Sequence, residues 1–335
     1  MLNKSLYFMA LLAIVVFGCE KNDDSSTNKS FISATVAMGS NSSNDIYYSL
    51  ANGVASSVER SAWDIAFSVP LQTATVLINE GAGVELYSVG DTNEWDIVNE
   101  ASTTGKSKLY NDKSDWSVGA FNRTATGFPN YGWGTYHANT DHNVGGDSVY
   151  VIKLSDGSMK KFMIRAKLGA TSSNVFRWAD LDGGNEQVAS LPTTPYDNKK
   201  HFIHYSLVDN QLVEAEPDMD SWDLLFTRYV VKIPAGPGQF MDYPVMGVLS
   251  NPDVKVAKVT GDPEKVNATG ATFSNAADAI GYDWKVSDPV THEISIADST
   301  SYFVQSVDGH TWQLYFTGYG GNAAGTIDIK IKKVD

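Results

Sequence analysis

The sequence contains one cysteine, Cys19, in 335 residues, so no disulfide can form within the chain. Basic residues are also short: 25 Lys and Arg stand against 39 Asp and Glu, a formal net charge of −14. Nucleic acid is thereby excluded as a natural partner, because its phosphates would be repelled. Long apolar runs are missing too. The apolar opening run without charge, Leu6 to Gly18, has 13 residues, too few to cross a bilayer as a helix. The sequence has no Gly-x-Ser-x-Gly, no His-Glu-x-x-His, no phosphate-binding loop and no cysteine placed as a nucleophile. A protein without enzymatic activity is the expectation. Helical periodicity is scarce after residue 30, and histidines number six.

The opening segment reads as an export leader. Lys4 supplies the charged start and Leu6–Gly18 the apolar region. Val16-Phe17-Gly18-Cys19 resembles a bacterial lipobox, which implies a signal peptide over 1–18 and a lipidated Cys19. Several acyl chains, each buried methylene contributing roughly 0.8 kcal/mol, would anchor such a residue stably. Residues 19–30 are polar and read as a flexible tether. Lys21-Asn22-Asp23-Asp24 looks like the acidic export signals of Bacteroidetes surface lipoproteins. The expected location is therefore the outer membrane, lipid-anchored, facing the cell surface.

What is present is alternation. In "TIDIKIKKVD", Ile327, Ile329 and Ile331 share one face, and Asp328, Lys330 and Lys332 the other. Two hairpins are predicted, with Asp156-Gly157 and Asp308-Gly309 at their turns. A short helix is predicted over Ser274–Gly281. The fold class expected from this pattern is all-β, an antiparallel sandwich.

The sequence also repeats itself. "SAWDIAF" at Ser61 returns as "DSWDLLF" at Asp220, and "YYSL" at Tyr47 returns as "HYSL" at His204. "YGW" at Tyr131 returns as "YDW" at Tyr282, and Gly83-Val84 is matched to Gly247-Val248. Threonines, aspartates and the two hairpins follow in the same order. Two copies are expected, residues 31–190 and 197–335, joined by Leu191–Lys200. Within the repeated strand, a period of two puts Trp63, Ile65 and Phe67 inward and leaves Asp64 opposite, free to bind a turn or a partner strand.

The Tyr-Ser-Leu strand followed by Trp-Asp-[Ile/Leu]-x-Phe, the late Asp-Gly hairpin and the closing "YFTGYGGNAAGTIDIKIKKV" together resemble the HmuY-like family of Bacteroidetes surface lipoproteins. The chain would be a two-copy form of that family. The resemblance implies an all-β haemophore that holds haem between loops with His or Met ligands and passes it to an outer-membrane uptake receptor. The candidate ligands here are Met246 and Met241 in "QFMDYPVMGV", and His142 and His292 in the loops before the hairpins. The alternative is a non-catalytic adhesion, glycan-binding or partner-binding module. Tyr131, Trp133 and Tyr136 form an aromatic cluster suited to sugar stacking or to core packing. His201 and His204 point to opposite faces if their segment is a strand, which argues against a metal pair. "DLDGGNE" at Asp180 only loosely matches a calcium loop.

Overall fold

The computed structural model describes residues 30–288, 291 and 293–335. Among them the chain forms antiparallel sheets throughout, so the all-β expectation holds. Two sandwiches are built, each from a large sheet and a four-stranded one.

In the first, a seven-stranded sheet containing Ser148–Lys153, Met159–Leu168 and Ser173–Asp180 packs on a four-stranded sheet. The smaller sheet runs Gln211–Val213, Phe202–Ser206, Ile65–Ser68, Val76–Ile78. Phe67, Phe162, Phe176, Trp178 and Tyr205 interlock between the two. In the second, a five-stranded sheet runs Ile32–Ala37, Thr326–Lys333, Thr311–Tyr319, Thr300–Gln305, Lys255–Thr260. Its partner runs Gln239–Ser250, Leu224–Gly236, Asn44–Ser49, Gly53–Glu59. Tyr48, Phe226, Trp284, Tyr302 and Phe316 fill the space between. Ile327, Ile329 and Ile331 point into this core, as their alternation predicts. Both Asp-Gly hairpins form, and Gly157 and Gly309 take the left-handed φ of 87° and 81° that their turns require.

The two cores are not coextensive with the two sequence copies. Strand Asn44–Ser49 of the first copy pairs with Leu224–Gly236 of the second. Strand Phe202–Ser206 of the second pairs with Ile65–Ser68 of the first. Of the strands preceding these, Ile32–Ala37 lies on Thr326–Lys333 of the second copy, whereas Gln187–Pro192, at the end of the first copy, lies on Ser173–Asp180. Each copy thus contributes its opening strands to the other's core. As a result, the first core draws on one continuous span, residues 65–213. The second closes only when residues 32–59 join residues 224–333.

The Trp-Asp motif locks this exchange. The Asp64 carboxylate accepts the Leu207 N–H at 2.7 Å, and the Asp223 carboxylate accepts the Leu50 N–H at 2.7 Å. Each acid therefore ties off the Tyr-Ser-Leu strand of the other copy. An asparagine braces each acid from behind. Asn79 donates its side-chain amide to the Arg60 and Trp63 carbonyls, and Asn251 donates to those of Met219 and Trp222. These asparagines are the true equivalents, so the matching of Gly83-Val84 to Gly247-Val248 fails. Gly247 instead pairs with Thr227 inside a hairpin.

Two further expectations need correction. Trp63 does not point inward with Phe67. A 3-10 turn at Arg60–Ala62 leads into Trp63, the strand begins only at Ile65, and the indole packs outward beside Ala66 and Phe202. Ser274–Gly281 is not a helix either. Ser274 bridges to Val256 and Gly281 to Val248, so the segment is drawn along the sheet.

The outward faces of the two four-stranded sheets meet at Trp116. It packs against Tyr47, Trp222 and Leu225 on one side and Phe202 and Leu77 on the other. Its indole N–H donates to the Ser250 carbonyl at 2.8 Å. Nearby, Glu80 accepts the Val230 N–H at 3.1 Å. Gly81 lies so close to the Arg228 carbonyl that a Cβ there would sit 2.1 Å from its oxygen, which only glycine avoids.

Candidate functional site

Three loops of the first sandwich converge on one open pocket of about 620 Å³. Leu71–Ala74 follows the Trp-Asp strand, residues 128–144 carry the aromatic cluster, and Lys167–Ala170 turns between two strands of the large sheet. Phe128, Tyr131, Tyr136 and His142 line it. Phe128 is 73% exposed, and its ring lies 5.7 Å from that of Tyr136. Large apolar side chains left that open on a concave surface are the usual mark of a binding site.

The loop that presents His142 is pinned from two sides. His142 N–H donates to the His137 carbonyl, and the Asn143 side chain accepts the Gly169 N–H at 2.8 Å. Gly169 is needed for that approach, since a Cβ there would lie 2.5 Å from the His142 carbonyl oxygen. The Tyr136 hydroxyl is hydrogen-bonded to His142 Nδ1 at 3.0 Å, and the ring makes no other hydrogen bond among the described residues. A partner on Nδ1 fixes the imidazole plane and leaves Nε2 as the atom offered to a ligand. Lys167 braces the floor. Its ammonium donates to the Pro70 carbonyl at 2.8 Å and to that of Thr73. Burial pulls this lysine down to about 8.

Of the three proposed haem ligands among the described residues, only His142 reaches this pocket. Met246 is buried in the second core with Tyr48, Phe226 and Trp284, where its thioether fills space. Its strand alternates Met246 and Val248 inward, so it is a packing residue, which corrects the ligand expectation. Met241 lies 49% exposed towards the tip of the long Leu224–Ser250 hairpin, opposite Ile233 and beside an exposed Phe240. It does not line the His142 pocket. His292 and Cys19 lie outside the described residues.

The aromatic cluster divides. Trp133 is core, its indole N–H donating to the Ala74 carbonyl at 2.7 Å, whereas Tyr131 and Tyr136 face the pocket. Asp180 is occupied by Lys160 and by the Asn185 amide, so "DLDGGNE" is a turn and not a calcium loop. His201 and His204 serve different tryptophans: the His204 ring meets Trp63 edge-on at 4.6 Å, and His201 meets Trp222 at 6.3 Å. No group of three or more His, Cys, Asp or Glu side chains suited to a metal occurs among the described residues.

Two things escaped the sequence reading. One is the pocket itself, because its three loops are far apart in the chain. The other is that His204 occupies the place of Tyr47 in the repeat. Tyr47 meets Trp222 edge-on at 4.9 Å just as His204 meets Trp63. Aligning "HYSL" on "YYSL" carries that signal.

No protein-family model matches the sequence, and no curated protein does. A solved structure described as a putative HmuY-like haem-binding protein from Bacteroides vulgatus ATCC 8482 is matched with a TM-score of 0.17 at 12% identity. The match covers 49% of this chain and 92% of that one. The assignment to an antiparallel β-sandwich class rests on the sheets themselves.

Proposed function

We propose that this chain is a non-catalytic binding protein that holds a flat, largely apolar ligand of the porphyrin class in the pocket beside His142. The observation that carries this reading is the conjunction at that pocket. A volume of about 620 Å³ is walled by Phe128, Tyr131 and Tyr136, and an imidazole is held there by its Nδ1. The residue set fits haem: a borderline nitrogen ligand faces an apolar slot with aromatic walls. His142 would bind the iron through Nε2, Tyr136 would hold the ring plane, and Phe128 and Tyr131 would cover the macrocycle and exclude water. Bound haem would supply a ligand-exchangeable iron; the chain supplies orientation and shelter. The motif resemblance to HmuY-like lipoproteins agrees with this reading. With Cys19 lipidated, the protein would stand at the outer surface of the outer membrane and hand its ligand to an uptake receptor.

A haemin titration tests this. The Soret band shifts saturably with the unaltered protein, and His142→Ala loses the shift, while Met246→Leu and Met241→Leu keep it. No spectral change at micromolar haemin would sink the proposal. A second reading has one observation in its favour: Phe128 and Tyr136 form an exposed ring surface on which a sugar could stack. Glycan binding without a haemin response would select it.

A further inference from the structure

We infer that the cleft between the two four-stranded sheets is a second ligand site, one that takes a small organic cation. The site is distinct from the His142 pocket and does not depend on what that pocket binds. Trp63, Trp116, Trp222 and Tyr47 border it, together with the carboxyl of Glu216 and the imidazole of His204. About 80 Å³ is free inside. One water needs roughly 10–15 Å³, so the space suits a molecule the size of a short alkylamine.

Charge decides the class of ligand. Four acids border the cleft. Asp45 is paired with Arg60 at 2.8 Å, Glu80 with Lys113 at 2.6 Å, and Asp112 with Arg123 at 2.7 Å. Glu216 has no cation within ion-pair distance among the described residues; Lys200 donates to its backbone carbonyl instead. The Glu216 carboxyl is held in place by the His201 and Phe202 N–H groups at 3.1 and 2.8 Å, with the Trp222 indole beside it. Of the bordering cations, Lys113 is spent on Glu80, and Arg228 donates to the Asn322 side chain. Asn322 is neutral, so Arg228 keeps its charge and the bordering charges balance as a whole. What sets Glu216 apart is that, among the described residues, it is the one bordering carboxyl without an ion-pair partner, ringed by aromatic faces that themselves attract cations.

His204 is the independent sign that something belongs there. It is 5% exposed, touches Trp63 edge-on, and its ring has no hydrogen-bond partner among the described residues. Buried polar groups are rarely left so. Burial pulls its pKa down to about 3, so the ring is neutral and offers a lone pair. An ammonium N–H would donate to this nitrogen and to Glu216, with the alkyl chain lying on the indoles.

The test compares n-butylamine with n-butanol, of nearly equal size and shape. It is run at about pH 8, above the raised Glu216 value, and read by tryptophan fluorescence and calorimetry. The amine binds saturably, and the alcohol binds ~10-fold or more weakly, as an ion-assisted hydrogen bond requires. Glu216→Gln abolishes the preference for the amine. Trp63→Leu, at the half-buried rim, weakens the amine while leaving the haemin response as it was. Equal binding of alcohol and amine, a preference that survives Glu216→Gln, or no saturable response to the amine overturns the inference. Should Glu216→Gln fail to fold, Trp63→Leu decides: unchanged amine binding then refutes the site.

Discussion

Asp64 and Asp223 do the same work in opposite cores, and both are buried enough for their carboxyls to be pushed up, Asp64 to about 6. Removing either strands a buried N–H of the exchanged strand. Asp64→Ala should therefore cost ~2 kcal/mol of unfolding free energy, and Asp64→Asn, whose amide oxygen can still accept from Leu207, clearly less. Urea melts of the two variants measure this; equal losses would mean the hydrogen bond is not what the acid contributes. Glu216 sets a pH dependence of its own. Burial raises it from 4.5 to about 7, so the folded chain holds that proton more tightly than the unfolded chain. Its contribution therefore declines as pH climbs from 4.5 through 7. His204 works in the other direction. Lowered from 6.5 to about 3, it costs stability as pH falls below 6.5, because only the unfolded chain takes the proton. Glu216→Gln should gain on the order of 2 kcal/mol relative to the unaltered protein between pH 5 and pH 8. Urea unfolding at both pH values checks it, and parallel pH profiles would contradict the assignment.

At the scale of elements, the strands were legible and their partners were not. Alternation at Ile327–Ile331 and the Asp-Gly turns announce themselves locally, because side-chain period and turn chemistry are local properties. Exchange is different. Tyr47-Tyr48-Ser49 carries the same pattern whether it pairs with its own Trp-Asp strand or with the other, and only chain closure distinguishes the two. The braces were missed for a related reason. The Trp-Asp pairs are 159 positions apart, but the extra residues of the Leu224–Ser250 hairpin stretch the Asn79–Asn251 spacing to 172. Met246 misled because a methionine near aromatics reads alike as ligand or core. The exchange also makes a prediction. Residues 61–213 hold every strand of the small sheet and the principal strands of the large sheet around the first core. A fragment of that span should unfold cooperatively in urea, whereas residues 214–335 alone, lacking Val36, Ile46 and Tyr48, should not. Cooperative folding of the second fragment would show that strands 32–59 are dispensable.

For the whole molecule, the repeated scaffold appears twice, and the loops after its Trp-Asp strands differ between the copies. In the first copy the chain after the Trp-Asp strand makes the short Leu71–Ala74 loop that walls the pocket. In the second the equivalent turn grows into the long hairpin ending at Gly236 and Gln239. His142 was legible as a loop ligand because loops reveal themselves by polarity. The walls around it were not, because no local pattern marks loops that meet only after folding. The inter-core cleft belongs to neither copy and exists only because both are present.

The order in which the chain is made gives the strand exchange a further consequence. Residues 32–59 are synthesised before nearly all of the described protein, yet their sheet partners extend to Ile331. The first core can close once residue 213 has emerged. The opening strands must stay unburied past that point, with Ile46 and Tyr48 still exposed, until the very last strand arrives. The first strands of the described protein to be made are thus the last to be sheltered, and the aggregation-prone interval falls between those two events.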